Sequence, residues 1–169
     1  MLEYPELLLH PWRWETRSPH QRPVQVRRVV DAGTHQPLGL VRAVNPLVWP
    51  MFRWLARRAW QVLETEDESL LLTISAPWGL IRPWQVHDAE ERLVCSIHAG
   101  VIYDNSGCCR ARASGGPGTI RLLDKAKMEL AVAAFTSHGL ELRFAPRIDA
   151  DPYAKMSILG AALSLEEKL

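Results

Sequence analysis

The stretch from Asp151 to Glu166, DPYAKMSILGAALSLE, constrains the fold more than any other part of the chain. It reads as one helix with both ends marked. Asp151 suits the N-cap, where its carboxylate accepts a first-turn amide, and Pro152 suits the first helical position, where a missing N–H costs nothing. Glu166, Glu167 and Lys168 return the chain to water. Between these ends, Ile158 to Leu163 carries no polar side chain on any face. A helix lying on a domain surface shows an apolar stripe and a polar one, so this helix has to be enclosed on all sides, by protein or by lipid. From 152 to 165 it spans roughly 21 Å at about 1.5 Å per residue, short of the roughly 30 Å of bilayer hydrocarbon. The expectation is a buried central helix over 152–165, not a transmembrane span, with Asp151, Pro152, Met156, Ile158, Leu159, Gly160 and Leu163 as its structural residues.

What surrounds it is legible upstream. From Val24 onward the chain is a series of short apolar segments separated by turn residues, a spacing typical of a sandwich or barrel. The pattern predicts strands at 24–30, 38–44, 60–64, 70–75, 84–88, 93–98, 101–104, 109–113, 120–124, 128–135 and 140–144. Turns fall at 31–33, 66–68, 88–91, 105–107, 114–118 and 137–139, rich in residues that tolerate positive φ or close local hydrogen bonds. Successive strands then pair as antiparallel hairpins. The clearest alternation sets Leu140, Leu142 and Phe144 inward and Glu141 and Arg143 outward. A second short helix is expected between Asn45 and Ala59, capped by Asn45, opened by Pro46 and kinked at Pro50. One sheet face covers only one side of a helix, whereas a closed barrel covers all of them and leaves no sheet edge exposed. The fold class expected is therefore mainly β: a closed antiparallel β-barrel enclosing the C-terminal helix, with one additional short helix.

A chain of 169 residues fits one domain, placed at 24–169. Residues 1–23 contain Pro5, Pro11, Pro19 and Pro23 with Trp12 and Trp14, and read as an irregular arm; Leu7, Leu8, Leu9 and the two tryptophans are too apolar for a well-solvated tail, so part of the arm is expected to dock on the domain. The net charge of +1 gives no reason to expect a nucleic-acid partner. Three cysteines, Cys95 and the adjacent Cys108 and Cys109, do not make a disulfide framework and read as reduced thiols. With no secretory signal visible at the start, a cytoplasmic location is expected. None of the six histidines forms a metal-ligand or catalytic spacing, and there is no nucleophile elbow. Ser114 to Gly118 lacks the lysine of a phosphate loop and reads as a hairpin connection, while Lys125 and Lys127 read as a solvated face. No enzyme, cofactor or metal is expected.

The strand meander ending in Asp149-x-Asp151, followed by Lys155-Met156 and a Leu159-Gly160-Ala161-Ala162 helix, resembles the end of the tubby-like, phospholipid scramblase and LURP-one-related superfamily. The hairpin over 70–74 after Glu66-Asp67-Glu68, Pro77-Trp78-Gly79-Leu80, and the hairpin over 84–97 are similar to its bacterial members. The resemblance covers 24–166. It implies a barrel around a C-terminal helix, used for membrane-lipid binding in tubby proteins and for a disputed lipid movement in scramblases; it implies no active site. The chain departs from the functional patterns. Asp149 and Asp151 supply too few oxygens for a calcium site and are expected to act in capping and with the helix dipole; Cys108 and Cys109 are expected to be buried in a strand; no lysine-rich phosphoinositide pocket carries over. The function expected is a non-enzymatic barrel attached peripherally to anionic phospholipid, the alternative being a soluble barrel that binds a protein partner. The candidate membrane contact lies in 46–60, where Trp49, Phe52, Arg53, Trp54, Arg57 and Arg58 combine interfacial aromatics with phosphate-binding guanidiniums. Packing across a barrel mouth is the expectation for most of these side chains.

Overall fold

The structure, a computed structural model, describes residues 1–16, 24–44, 58–65, 68–76, 83–116 and 118–166. Its strands in chain order are β1 (Glu6–Leu9), β2 (Arg13–Glu15), β3 (Val24–Asp31), β4 (Pro37–Val44), β5 (Arg58–Glu64), β6 (Leu70–Ala76) and β7 (Trp84–Asp88). They continue with β8 (Leu93–His98), β9 (Val101–Asp104), β10 (Cys109–Gly116), β11 (Thr119–Asp124), β12 (Glu129–Thr136) and β13 (Gly139–Phe144). A 3-10 turn at Pro146–Ile148 leads into the helix α1 (Pro152–Glu166). From β3 to β13 each strand pairs antiparallel with the next. The ring closes through β1, which pairs antiparallel with β13 on one edge and β3 on the other, giving a closed barrel of 12 strands. β2 lies outside that ring, continuing along β3 as Arg13 opposite Val26.

The eleven strands expected from Val24 onward are all present, and the turns after Asp31, Asp88, Asp104 and Asp124 are closed by local backbone hydrogen bonds. Residues 6–9 and 13–15, read from sequence as irregular arm, are strands instead. β1 has no apolar-polar alternation to betray it, since Leu7, Leu8 and Leu9 are all buried. Leu7 and Leu9 lie opposite Leu142 and Leu140 of β13 and, with Val29, complete the inner wall. The short helix expected over 45–59 falls largely outside the described residues; Arg58 and Ala59 are the first positions of β5, opposite Ala76 and Ser75.

The helix occupies the barrel interior as its all-round apolar sequence requires: Ile158, Leu159, Ala161, Ala162 and Leu163 are buried to the last few per cent. Barrel geometry decides where inside it sits. Strands about 4.8 Å apart and tilted by about 40° close, when twelve in number, on a radius of roughly 12 Å, while packed layers sit about 10 Å apart. A helix on the axis would stand off from every wall, so it moves toward one. Here α1 lies against β7 and β8, with a second line of contact on β12 and β13. Gly160 makes the approach possible: a Cβ built there would lie 2.5 Å from Cγ2 of Val86 on β7. Between the two lines of contact the helix and the wall of β9 to β11 stand apart near the lower mouth, where the helix enters.

Two buried cations hold the helix lengthwise. At the lower mouth Lys155, fully enclosed, donates to the Leu2 carbonyl at 2.9 Å, pairs with Asp149 at 3.1 Å and lies 5.3 Å from the centre of the Phe144 ring. At the upper mouth Arg27, equally buried, donates to the carbonyls of Leu9 (3.0 Å) and His10 and pairs with Glu166 at the end of the helix. One cation reaches the Leu2 carbonyl ahead of β1 and the other the carbonyls of Leu9 and His10 at its end, so the strand that closes the barrel and the helix that fills it are tied together at each end.

Candidate functional site

Three hairpins at the lower mouth repeat one design. Each descending strand ends in Asp88, Asp104 or Asp124, and the amide of that aspartate donates to the carbonyl four residues on, in Arg92, Cys108 and Met128, at 2.9–3.0 Å. The amide three residues on, in Glu91, Gly107 and Lys127, donates back to the aspartate carbonyl at 2.9–3.1 Å. Those third residues have φ of 62°, 79° and 60°, the left-handed step of a type I turn with a bulge. The aspartate side chain completes the turn. Asp104 accepts the Ser106 hydroxyl at 2.6 Å and the Cys108 amide at 2.8 Å, with Arg110 on its other oxygen at 2.8 Å, and these hold its carboxyl down at about 2. Burial pushes the Asp88 carboxyl up, but the Arg92 amide and guanidinium outweigh it and the net shift is downward. For Asp124 the Met128 amide, with the Arg147 guanidinium at 3.0 Å, gives the same net direction. The three aspartates are ionised parts of the turns.

These hairpins surround a cavity of about 600 Å³ between β8–β12 and the first two turns of α1. Its floor is apolar, formed by Cys95, Ile102, Ala111, Leu130, Ile148 and Ile158, and the helix contributes Tyr153, Ala154 and Ser157. Burial pushes the Cys95 thiol up to about 11 despite its contact with Ser157, so near neutral pH it is a protonated, apolar-like group and not a thiolate nucleophile. Asp151 stands at the rim as the N-cap, Oδ1 accepting the Ala154 amide at 2.9 Å. The lining joins this apolar floor to a charged opening formed by Asp88, Arg92, Asp104, Arg110, Asp124 and Asp151, a pairing that suits a molecule with an apolar body and a polar head.

The upper mouth has a different character. Trp60 and Trp84 stack with centroids 4.6 Å apart, Trp12 lies 6.3 Å from Trp60, and the Arg27 guanidinium lies 5.8 Å from the Trp12 ring. The strands that flank the 45–57 connection, ending at Val44 and resuming at Arg58, open at this mouth.

The sequence-predicted residues distribute as follows. Asp151 caps the helix and Pro152 begins it; Met156 is half-buried against the core; Ile158, Leu159, Gly160 and Leu163 are enclosed. Trp49, Phe52, Arg53, Trp54 and Arg57 lie outside the described residues, and Arg58 is placed only by its backbone, as the start of β5. Two expectations are corrected. Asp149 does not cap the helix but pairs with the buried Lys155. Cys108 is exposed at the β9–β10 turn and Cys109 half-buried, because the Asp104 turn extends through position 108 before the strand resumes. Nothing in the chain marks Arg27 and Lys155 as buried, or signals the tryptophan row or the cavity. The repeated aspartate at the end of a strand, followed three positions later by a left-handed residue, was the signal that could have located the rim. No family model matches the chain, and no curated protein does.

Proposed function

We propose that this chain is a non-enzymatic barrel of the tubby-like kind that attaches peripherally to anionic membrane lipid on the cytoplasmic side. The observation that carries the reading is the architecture itself: a closed ring of twelve antiparallel strands around a C-terminal helix, which is what the resemblance at Asp149, Asp151, Lys155-Met156 and Leu159–Ala162 implies. Peripheral attachment, and not spanning by a helix, accords with there being no helix among the described residues long and apolar enough to cross a membrane. The contact is assigned to the 46–60 stretch, which ends at Trp60, a member of the Trp12, Trp60 and Trp84 row that makes the upper mouth aromatic. Tryptophan at a headgroup boundary and arginine on phosphate are the two elements of an interfacial anchor.

The test is co-sedimentation with phosphatidylserine-containing and with purely zwitterionic vesicles across a salt series. Wild type is expected to bind the anionic vesicles in a salt-sensitive way. Replacing Arg53, Arg57 and Arg58 together by Gln should weaken binding by about 1 kcal/mol per charge and flatten the salt dependence. No binding to any vesicle refutes the lipid reading and leaves a soluble interaction barrel; equal binding by the triple variant at every salt concentration moves the contact elsewhere.

A further inference from the structure

We infer that the cavity at the lower mouth binds an amphiphilic cation, an apolar chain carrying a protonated amine. The site stands on its shape. A volume of about 600 Å³ lies within the range of small-molecule sites, and it follows from the off-centre helix held by Gly160 against β7, so it belongs to the packing of the whole barrel. The floor of Ile102, Leu130, Ile148 and Ile158, with the protonated Cys95, offers an incoming molecule no counter-charge and calls for an apolar body.

The charge at the opening decides the head group. Four carboxylates and two guanidiniums line the cavity: Asp88, Asp104, Asp124 and Asp151 against Arg92 and Arg110. Arg92 is held on Asp88 at 2.7 Å, Arg110 on Asp104 at 2.8 Å, and Asp124 is matched by Arg147 at 3.0 Å from just outside the lining. Asp151 is left over. Among the described residues it has no ion-pair partner, and only one of its oxygens is engaged, by the Ala154 amide. The helix N-terminus contributes only about half a positive charge, so the rim stays net negative after capping. An anionic head would meet an uncompensated carboxylate, a neutral head would gain little, and an ammonium would complete the fourth pair. This site lies at the mouth opposite the proposed membrane contact and does not depend on it.

Calorimetry on the full chain at neutral pH, with decylammonium, decanol and decyl sulfate each below its micelle concentration, tests the assignment. Decylammonium should bind saturably at one site, about three- to tenfold tighter than decanol, and decyl sulfate more weakly than either. Asp151→Asn keeps a capping oxygen while removing the charge, and should abolish the preference for the amine while leaving decanol binding unchanged. Ala154→Leu, which keeps helix propensity and fills the cavity, should remove binding of both chains; Ala111→Leu, from the opposite wall, is a second filling variant should the first fail to fold. Absence of saturable binding by any of the three chains overturns the site. Tightest binding of decyl sulfate, or an amine preference that survives Asp151→Asn, overturns the assigned head group. Vesicle binding measured on the same variants separates this outcome from that of the membrane proposal.

Discussion

Changing Gly160 to Ala should destabilise the native barrel and stabilise one in which Val86 has already been cut to Ala. The added methyl carbon would sit 2.5 Å from Val86 Cγ2, against an ordinary carbon–carbon contact of about 3.5–4.0 Å, and Val86 is itself fully buried on a paired strand. Relieving that overlap costs about 1–3 kcal/mol as overpacking, partly offset by the roughly 1 kcal/mol by which Ala exceeds Gly in a helix. The net loss for Gly160→Ala alone is about 1 kcal/mol. Val86→Ala removes two buried methyl groups at about 0.8 kcal/mol each and adds a cavity term, for about 2–3 kcal/mol. In the double variant the methyl at 160 enters the space vacated at 86 and the helix gain survives, so Gly160→Ala becomes favourable by about 1 kcal/mol. The coupling is then about 2 kcal/mol, well above the few tenths expected of independent sites. Urea unfolding of the four proteins with unchanged m-values measures it, and thermal midpoints should move by about 2–4 °C per kcal/mol. If Gly160→Ala has the same sign in both backgrounds and the two changes add, the helix does not lean on β7, and the origin given for the cavity fails with it.

Arg27→Met should cost about 3–5 kcal/mol in urea unfolding, because it leaves Glu166 and the carbonyls of Leu9 and His10 without their donor; adding Glu166→Gln should recover part of that, and a loss below 1 kcal/mol would show that the upper tie is dispensable. Because the Asp104 carboxyl is lowered from 3.8 to about 2, its stabilisation is present above pH 3.8 and fades as pH falls toward 2; Asp104→Asn should remove that part of the acid slope, and an unchanged slope would count against the turn contacts. The Cys95 thiol, raised from 9.0 to about 11, has the opposite sense: the unfolded chain loses its proton first, so roughly 2–3 kcal/mol should be lost between pH 9 and 11 in wild type relative to Cys95→Ala. Lys127→Gly, at φ 60°, should raise stability by up to about 1 kcal/mol by removing left-handed strain, and a loss would place that residue in some contact beyond the turn.

Enclosure of the helix was already legible in the chain. Ile158 to Leu163, apolar on every face and too short to span a bilayer, admits one solution in water, a wall on all sides, and the turn residues after Asp31, Asp88, Asp104 and Asp124 delimit most of that wall because turn geometry is local chemistry. Four things were decided only in three dimensions. β1 is a strand because β13 and β3, far away in sequence, offer it two edges; its three consecutive leucines are buried on both faces and carry no period to read. Arg27 and Arg28 look alike in the chain, and the register of β3 alone turns the first inward to Glu166 and the second out to solvent. Lys155 sits in a helix that composition would keep free of charge, and what makes it tolerable is a carbonyl from Leu2, a carboxylate from Asp149 and the Phe144 ring, converging from three separate segments. The cavity belongs to no residue pattern at all, since it is the space left when a cylinder of twelve strands is wider than the helix it must grip.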